Sequence, residues 1–245
     1  MKQIQSLTNH LVKEVVKLHT AKHRKDLGKF IAEGVRCSSA LAESGAKLLT
    51  LFATERMIET AQTIATADKI FAVSDAVMQK MSTSNSPSGL LGVFEIPMPP
   101  PLVDLSVGLV LARVADPGNM GTLIRSAVAM GKSTIVVIEG ADPWGPKVVQ
   151  ASAGAIGNAN IFELSWQELL AITSRPPLCA LVIEGGQKPS DIELQKALLV
   201  VGSEAHGIPP EWIHSCDTHL TLPMKSGVSS LNAAVAGSIA LYLAR

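Results

Sequence analysis

The hydrophobic positions near the start of the chain recur with the period of an α-helix. Leu11, Val15 and Leu18 are three and four residues apart, the spacing that places side chains on one face of a helix. This pattern predicts an amphipathic helix over residues 7–20. A second helix is predicted within residues 34–45.

Short apolar runs follow these helices and alternate with polar stretches of helical pattern, as in a small α/β layer. A proline cluster at residues 96–101 then interrupts the pattern, since proline is excluded from helix interiors and central strands. We therefore predict a first domain over residues 1–96 and a linker over residues 97–104. The three predicted strands of this domain occupy residues 48–53, 70–73 and 90–94.

Four longer apolar runs, rich in β-branched residues, follow the linker. Such runs, with helical patterns between them, are typical of parallel strands covered by helices on both faces. They predict a second α/β domain over residues 105–245. Ligands bind beyond the carboxyl ends of such strands, so the loops after the runs are candidate sites. The runs occupy residues 107–114, 134–139, 178–184 and 197–203.

Charge adds one feature to this picture. The 245 residues are 47% hydrophobic and carry no formal net charge, but residues 1–36 hold eight Lys and Arg against three Asp and Glu. This local charge of +5, balanced by −5 in the rest of the chain, predicts a surface for a polyanion. A solvated helix face explains the same charges. The candidate contacts are Lys22, Arg24, Lys25 and Lys29.

The three cysteines are widely spaced, with no CxxC pair and no neighbouring pair of histidines, which disfavours a disulfide framework and a zinc site. No metal is expected. The first residues lack the apolar stretch of a signal peptide, and no run approaches the roughly 18 apolar residues of a membrane span. A cytoplasmic location is therefore expected. The cysteines are Cys37, Cys179 and Cys216.

The loop after the first long run is the first candidate site. Asp116 is followed by Pro and Gly, which form a tight turn, and Asn119 is predicted to cap a helix beginning near Met120. Arg125 lies about two turns into that helix. A capped helix with a surface arginine is the alternative interpretation. Neither GxGxxG nor GxxxxGK[ST] occurs here, which disfavours a dinucleotide oxidoreductase.

The loop after the fourth run is the second candidate. Gly202 and Gly207 bracket Glu204, so the backbone can approach a ligand while a carboxylate stays close. Glu204 as a solvated turn residue is the alternative. His206 in the same loop is a weaker candidate for acid–base chemistry, because no partner for it is evident.

The third candidate opens an alanine-rich helix near the end of the chain. Ser229 and Ser230 are candidates for its N-cap, and Asn232 follows them. The small side chains of this helix permit close approach of a neighbouring chain in a dimer, or of the protein's own core.

Together, these loops resemble the motifs of the SpoU/TrmH class of the SPOUT RNA ribose 2′-O-methyltransferases. The resemblance covers residues 105–245, and the motifs occur in the family's order. More loosely, residues 1–96 are similar to the family's L30e-like substrate-binding domain. The first match rests on NMGTLIR (119–125), GSEAHGI (202–208), LPM (222–224) and SLNAAVA (230–236). The second rests on NHLVKEVVKL (9–18), KHRKDLGKFIAEGVR (22–36) and SGLLGVF (88–94).

The resemblance implies methyl transfer from S-adenosyl-L-methionine to a ribose 2′-hydroxyl of structured RNA. The expected substrate is large-subunit ribosomal RNA, because ribosomal relatives commonly carry the separate N-terminal domain. The resemblance further implies a homodimer and a deep trefoil knot at the end of the chain, an exception among folds. The family's cofactor contacts correspond to Gly202, Leu222 and Leu231.

The family's catalytic positions carry over in the same way. The family proposal makes Arg125 the base, but guanidinium is effectively always protonated, so a bidentate grip on phosphate is the alternative role. Alignment of reactants contributes up to about 7–11 kcal/mol, which favours positioning roles for the others. Glu204 is expected to orient Asn119 or Arg125. The catalytic candidates are Asn119, Arg125, Glu204, Ser230 and Asn232.

Two positions depart from the family pattern. Ser229 stands where many relatives carry an acidic residue, and Gln150 where relatives often carry Arg. Lys147 and Ser152 match, so Lys147 joins the candidates for RNA contact. A tRNA methyltransferase and a catalytically inactive RNA-binding relative remain the alternatives.

Overall fold

The computed structural model describes residues 2–225 and 230–245. The chain packs as two compact units. The first comprises residues 1–98 and 144–157, and the second comprises residues 99–143 and 158–245. The division after residue 98 falls inside the proline cluster. A segment from the second half of the sequence thus packs as part of the first unit.

A mixed five-stranded sheet forms the centre of the first unit, with the strand order β1-β4-β3-β5-β2. Strands β1, β4 and β3 are parallel to one another, whereas β5 runs antiparallel to both β3 and β2. The strands are β1 (Lys2–Ile4), β2 (Lys29–Glu33), β3 (Leu48–Thr54), β4 (Ile70–Val73) and β5 (Leu90–Glu95). The helices are α1 (His10–Lys17), α2 (Ala21–Leu27), α3 (Val35–Glu43), α4 (Ile58–Ile64), α5 (Asp75–Met81) and α7 (Pro146–Ala151).

The helix predicted over residues 7–20 is shorter than expected. Asn9 caps α1 by accepting a hydrogen bond from the backbone N–H of Leu11 at 2.9 Å, and α1 ends at Lys17. The basic run after it forms its own helix, α2, which Gly28 ends with a left-handed φ of +61°. Charged residues dominate α2, so hydrophobic periodicity could not reveal it.

The returning segment packs tightly within the first unit. A Cβ at Gly154 would lie 2.7 Å from the carbonyl oxygen of Cys37, and one at Gly157 would lie 2.2 Å from the Oγ of Ser44. Both contacts are with α3 or its C-cap, so only glycine permits this approach of the chain. Burial raises the pKa of the Cys37 thiol to about 12, with Glu33 adding to the effect.

A parallel six-stranded sheet forms the second unit, in the order β11-β9-β10-β6-β7-β8. This confirms the predicted α/β class with a parallel sheet. The strands are β6 (Gly108–Ala112), β7 (Thr134–Ile138), β8 (Asn160–Glu163), β9 (Leu178–Leu181), β10 (Leu198–Gly202) and β11 (Thr218–Leu220). The helices are α6 (Pro117–Ala129), α8 (Trp166–Ala171), α9 (Pro210–His214) and α10 (Ala233–Leu243).

Helices cover both faces of this sheet. On one face, α10 lies against β10 and α6, and a Cβ at Gly237 would come within 2.4 Å of Leu123. On the other face, Trp166 of α8 and Trp212 of α9 stack at 4.8 Å, in a core that includes Val110 and Ala112 of β6. The central strands are therefore buried on both sides, which explains their unbroken apolar runs.

The two edge strands, β8 and β11, were not predicted. Both strands are short and contain polar or charged residues as well as apolar ones. Neither strand therefore gives a continuous apolar run in the sequence. The run at 178–184 extends beyond its strand, because β9 ends at Leu181. Residues 181–183 line a cavity described below.

Candidate active site

The first loop differs from its prediction in one respect. Asp116, not Asn119, caps α6: its Oδ1 accepts a hydrogen bond from the backbone N–H of Asn119 at 2.7 Å. The helix therefore begins at Pro117 rather than near Met120, as suits a proline at a first helical position. The side chain of Asn119 therefore has no capping role and can bind other groups in the site.

The second loop is closed by its own backbone. The N–H of Ser203 donates to the carbonyl of Gly207 at 3.2 Å, and the N–H of Gly207 donates to the carbonyl of Ser203 at 2.9 Å. A Cβ at Gly202 would lie 2.2 Å from the carbonyl carbon of Gly207, and Gly207 itself has a φ of +66°. The backbone around Gly202 leaves no room for a side chain, and the left-handed φ of Gly207 favours glycine, so the loop holds Glu204 at a defined place at the sheet edge.

The third loop also differs from its prediction in the residue that caps the following helix. Asn232 caps α10, since its Oδ1 accepts hydrogen bonds from the backbone N–H groups of Ala234 and Val235 at 2.9 and 3.2 Å. Ser230 therefore does not cap the helix; it is exposed and lines a cavity. Ser229 lies outside the described residues.

The three loops meet through side-chain hydrogen bonds. The Nδ2 of Asn232 donates to the Oδ1 of Asn119 at 3.1 Å, and the Nδ2 of Asn119 donates to the Oε1 of Glu204 at 2.5 Å. Strands β6 and β10 are parallel neighbours whose ends, Ala112 and Gly202, lie in register, which brings their following loops together. We call Asn119, Glu204 and Asn232 the amide–carboxylate network.

The direction of this network follows from the cap of α10. Because the Oδ1 of Asn232 accepts from two backbone N–H groups, its Nδ2 is the group directed at Asn119. The carbonyl of Asn119 then accepts, and its Nδ2 donates to the carboxylate of Glu204. Ionised carboxylates only accept hydrogen bonds, so each donor has one matching acceptor. The N-terminal cap of α10 thus fixes the orientation of the Asn119 side-chain amide, which lies in a different loop.

A cavity of about 360 Å³ adjoins the network. Its size falls in the range of small-molecule sites, and apolar groups with a few polar ones are typical of such sites. All three predicted cofactor positions line it: Gly202, Leu222, which is buried, and Leu231, which is 38% exposed. Glu204 and Ser230 line it as well. Sequence reasoning missed the contribution of residues 181–183, although the apolar run beyond β9 was a signal for it.

A groove along α6 and α10 lies at the other end of the network. Asn119 and Asn232 line this groove together with Thr122, whereas Glu204 lines the cavity. Arg125 is exposed on α6, near the groove residue Thr122 in sequence. Within the described part of the chain, no hydrogen bond or ion pair joins Arg125 to the network. The structure thus brings three of the catalytic candidates together and leaves Arg125 directed to solvent.

The basic candidates of the first unit have different environments. Lys22 and Lys25 are exposed on α2. Arg24 is only 4% exposed, and its guanidinium donates to the carbonyl of Leu18 at 2.7 Å. This burial contradicts the predicted contact of Arg24 with RNA, because the charged group is turned into the protein. Lys29 is half-buried and pairs with Glu14 at 2.5 Å.

Lys147 is exposed on α7, which belongs to the first unit. Residues 2–225 and 230–245 contain no group of three or more His, Cys, Asp or Glu that could hold a metal ion. The same residues include no helix that is long and apolar enough to cross a bilayer.

The second unit is a parallel α/β domain, and the loops at the carboxyl edge of its sheet join a ligand-sized cavity to a polar network. This is the arrangement of an open-sheet ligand-binding enzyme. Family models assign the chain more closely. Residues 106–242 match the model described as the SpoU rRNA Methylase family, and residues 9–92 match the MRM3-like substrate binding domain. The chain belongs to the SpoU rRNA methylase family.

Relatives of known name cover almost the whole chain. The 23S rRNA (guanosine(2553)-2′-O)-methyltransferase RlmP of Bacillus subtilis is 28% identical, over 99% of this chain and 98% of its own. The 23S rRNA (uridine(2479)-2′-O)-methyltransferase of Streptomyces viridochromogenes is 29% identical, over 89% and 83%. An AdoMet-bound rRNA methyltransferase from Sinorhizobium meliloti superposes with a TM-score of 0.87 at 29% identity, covering 100% and 97%.

Proposed function

We propose that this protein transfers a methyl group from S-adenosyl-L-methionine to a ribose 2′-hydroxyl of large-subunit ribosomal RNA. The observation that carries the proposal is the amide–carboxylate network, which joins all three family motifs between the cavity and the groove. Two named relatives that act on 23S rRNA support the choice of substrate. They modify a guanosine and a uridine, so the base at the target is left open.

The residues around the cavity fit the cofactor. S-adenosyl-L-methionine has apolar parts and a positive sulfonium, and the cavity combines the side chains of Leu222 and Leu231 with the carboxylate of Glu204. We propose that Gly202, Leu222 and Leu231 hold the cofactor. When bound, S-adenosyl-L-methionine supplies an electrophilic methyl group. The trefoil knot that the resemblance implies stays a prediction.

The residues of the network act on this chemistry by positioning. Glu204 lines the cavity and Asn119 lies on α6, the helix that also carries Arg125, so their hydrogen bond joins the cofactor side to the helix proposed to bind the acceptor. A network fixed before the substrate binds costs little reorganisation in the transition state. Arg125, exposed on α6, has a planar guanidinium that can bind the phosphate beside the target ribose with two hydrogen bonds. Ser230, which lines the cavity, is proposed to hold the ribose.

We propose that residues 1–96 form the RNA-binding domain and that residues 105–245 form the methyltransferase domain, of which the segment 144–157 packs as part of the first unit and adds to the RNA surface. The match to a substrate-binding domain model and the exposed Lys22, Lys25 and Lys147 support this assignment. Lys29 can contact RNA only if its ion pair with Glu14 breaks. A cytoplasmic location agrees with such a substrate.

A homodimer is part of the proposal. The exposed face of α10 presents Val235, Ile239 and Tyr242, spaced by four and three residues, with exposed fractions between 40% and 48%. Together with Leu243 they line the groove along α6. Apolar side chains at this helical spacing suit the burial of one face by a second copy. Light scattering should show a dimer for the wild type and a monomer for Ile239→Asp.

The test of the function is a map of ribose 2′-O-methylation in the source cell with and without the gene. Loss of one methylation from large-subunit rRNA is the expected result. Loss from a transfer RNA would keep the chemistry and change the substrate. No loss at any site would favour an inactive RNA-binding relative.

Arg125→Ala separates the proposed roles further. We expect this variant to lose methyl transfer and to keep its affinity for the cofactor, because the cavity residues do not include Arg125. Calorimetric titration with S-adenosyl-L-homocysteine measures that affinity. Equal loss of cofactor binding would contradict the division between Arg125 and the cavity.

The basic surface has its own test. Lys22→Ala with Lys25→Ala should weaken RNA binding and lower the slope of log K against log salt by about one for each phosphate that is no longer bound. Arg24→Met should lower stability and leave the slope unchanged, because Arg24 is buried. An unchanged slope in the double variant would move the RNA surface elsewhere.

A further inference from the structure

Two residues at the carboxyl edge of the parallel sheet have a backbone conformation that favours glycine. Arg113 follows β6 with a φ of +56°, and Glu139 follows β7 with a φ of +50°. Side chains disfavour this left-handed region, and residues are held there only when the surrounding structure compensates for the strain. Such positions cluster at functional sites.

The left-handed backbone changes the face of the sheet on which the side chain of Arg113 lies. Leu109 and Leu111 alternate along β6 with Val110 and Ala112, whose face of the sheet packs with α8 and α9. An extended residue at position 113 would continue on the side of Leu109 and Leu111. The conformation of Arg113 instead brings its guanidinium over the ring of Trp212, on the side of α9, at 4.8 Å from the ring centre.

The guanidinium is held in a fixed orientation. Its Nε donates to the Oε2 of Glu139 at 2.7 Å, and Trp212 below it stacks on Trp166 with an angle of 4° between the rings. Both indoles are buried, whereas the side chain of Arg113 is 48% exposed and that of Glu139 is 55% exposed. A flat cation thus rests on a buried aromatic stack and presents its outer surface to solvent. We call Arg113, Glu139, Trp212 and Trp166 the arginine platform.

We propose that the arginine platform stacks a nucleobase of the RNA substrate next to the methylated nucleotide. Unpaired bases in RNA are bound by stacking on aromatic rings or on guanidinium planes. Glu139 partly compensates the charge of Arg113, so the platform suits the face of a base better than a phosphate. Arg113 follows β6 and therefore lies in the same loop as Asp116 and Asn119 of the candidate active site. This inference rests on the proposed function, because it requires an RNA substrate.

Arg113→Gly is the main test. Glycine is suited to a φ of +56°, so the variant should fold, with a melting temperature within about 4 °C of the wild type. We expect the KM for a large-subunit rRNA transcript to rise about five- to tenfold, the effect of removing one stacking partner, with little change in kcat. Affinity for S-adenosyl-L-homocysteine should stay unchanged. An unchanged KM would overturn the proposal.

Two further measurements separate stacking from charge. The slope of log K against log salt for the transcript should stay the same in Arg113→Gly, whereas removal of a cation that binds a phosphate lowers it by about one. Arg113→Lys keeps the charge without the planar group, so it should not restore the KM. Restoration by lysine, or a lower slope, would make Arg113 a phosphate-binding residue and overturn the proposal.

A direct probe is a single-stranded oligoadenylate of about 12 nucleotides, within the site size of single-strand binding proteins, compared with an abasic oligomer of the same length. The wild type should bind the oligoadenylate more tightly, and Arg113→Gly should lose the difference. The matched control is Lys196→Ala, which removes an exposed cation that pairs with Glu193 before the start of β10. Equal affinity of the wild type for both oligomers would overturn the proposal. A wild type that methylates no RNA would instead contradict the proposed function, while the binding measurements would still test the platform.

Discussion

The two edges of the parallel sheet use polar side chains in different ways. At the amino edge, Asp217 accepts hydrogen bonds from Arg175 and from the backbone N–H of Leu178, and Ser106 pairs with Thr134. These groups secure the backbone where strands begin. At the carboxyl edge, the amide–carboxylate network joins side chains of three separate loops, of which Glu204 and Asn232 are exposed and Asn119 is half-buried.

The difference shows which polar groups can serve a ligand. Hydrogen bonds to backbone groups stabilise the fold, and their loss is measured as a loss of stability. The carboxyl edge instead combines exposed polar groups with a left-handed Arg113 and Glu139, which cost stability. Groups that cost stability and remain exposed are expected where the protein binds and transforms a substrate. Variants at the two edges can test this contrast between them.

Asn119→Ala should have the largest effect. It removes the middle of the network and leaves both Glu204 and Asn232 without their partner. Loss of a positioned hydrogen-bond donor at an active site typically lowers kcat by about 10²–10³, and we expect a loss of this size. Incorporation of a labelled methyl group into large-subunit rRNA measures it.

The matched control is Asn160→Ala, an exposed asparagine at the amino end of β8. It should change methyl transfer less than threefold. If Asn119→Ala were as active as this control, the network would be structural, and the contrast between the edges would fail.

Two glycines, one at each edge, give the next largest effect. A Cβ at Gly108 would lie 2.1 Å from the carbonyl oxygen of Thr134, and one at Gly202 would lie 2.2 Å from the backbone of Gly207. Both contacts are with backbone, so both alanine variants should lose about 1–3 kcal/mol of stability. Denaturant unfolding measures this loss.

Function separates the two glycines. Only Gly202 lines the cavity, so Gly202→Ala should also weaken binding of S-adenosyl-L-homocysteine at a temperature where both variants are folded. Gly108→Ala should bind it like the wild type. Equal cofactor affinity in the two variants would remove Gly202 from the proposed site.

Asn232→Asp divides the two roles of one residue. The carboxylate still accepts from the N–H groups of Ala234 and Val235, and Asp is as good an N-cap as Asn, so the melting temperature should not change. The donor to Asn119 is lost, and a second carboxylate is placed in a network that already contains Glu204. We expect methyl transfer to fall about tenfold, the effect of one hydrogen bond of this kind. A parallel fall in melting temperature would show that the cap, rather than the network, was disturbed.

Local information was enough to predict the buried strands of the second unit and to single out the motif residues. Continuous apolar runs marked β6, β7, β9 and β10, and the order of the motifs marked Asn119, Glu204 and Asn232. The capping residues were assigned wrongly, since Asp116 and Asn119 are chemically equivalent candidates within one turn. Only the backbone shows which of the two caps the helix.

Two further features could not be read from the sequence because they depend on tertiary packing. Arg24 belongs to a basic run, and only the fold turns its guanidinium inward to the carbonyl of Leu18. Arg113 and Glu139 lie 26 positions apart and meet only through the neighbouring ends of β6 and β7 and their left-handed backbone. A count of charges treats buried, paired and exposed charged residues alike, whereas tertiary packing distinguishes them.

The smallest predicted effect lies at the amino edge. Burial alone would raise the pKa of Asp217, but hydrogen bonds from the N–H of Leu178 and from Arg175 outweigh it and hold the pKa below its ordinary value of 3.8. The charged form is therefore favoured in the folded state. This stabilisation is fully present above the ordinary pKa and is lost as the pH falls through the lower folded value.

Asp217→Asn should accordingly reduce stability at pH 7 by no more than about 1 kcal/mol, since the carboxylate is partly exposed and screened by water. The difference from the wild type should shrink as the pH falls below the ordinary pKa, where the carboxyl group of unfolded Asp217 is protonated. Urea unfolding at a series of pH values measures this. Methyl transfer by the folded variant should equal that of the wild type, because this hydrogen bond supports the start of β9, away from the proposed ligand sites. A loss of activity at unchanged stability would show that the amino edge also serves the reaction, and the contrast between the edges would not hold.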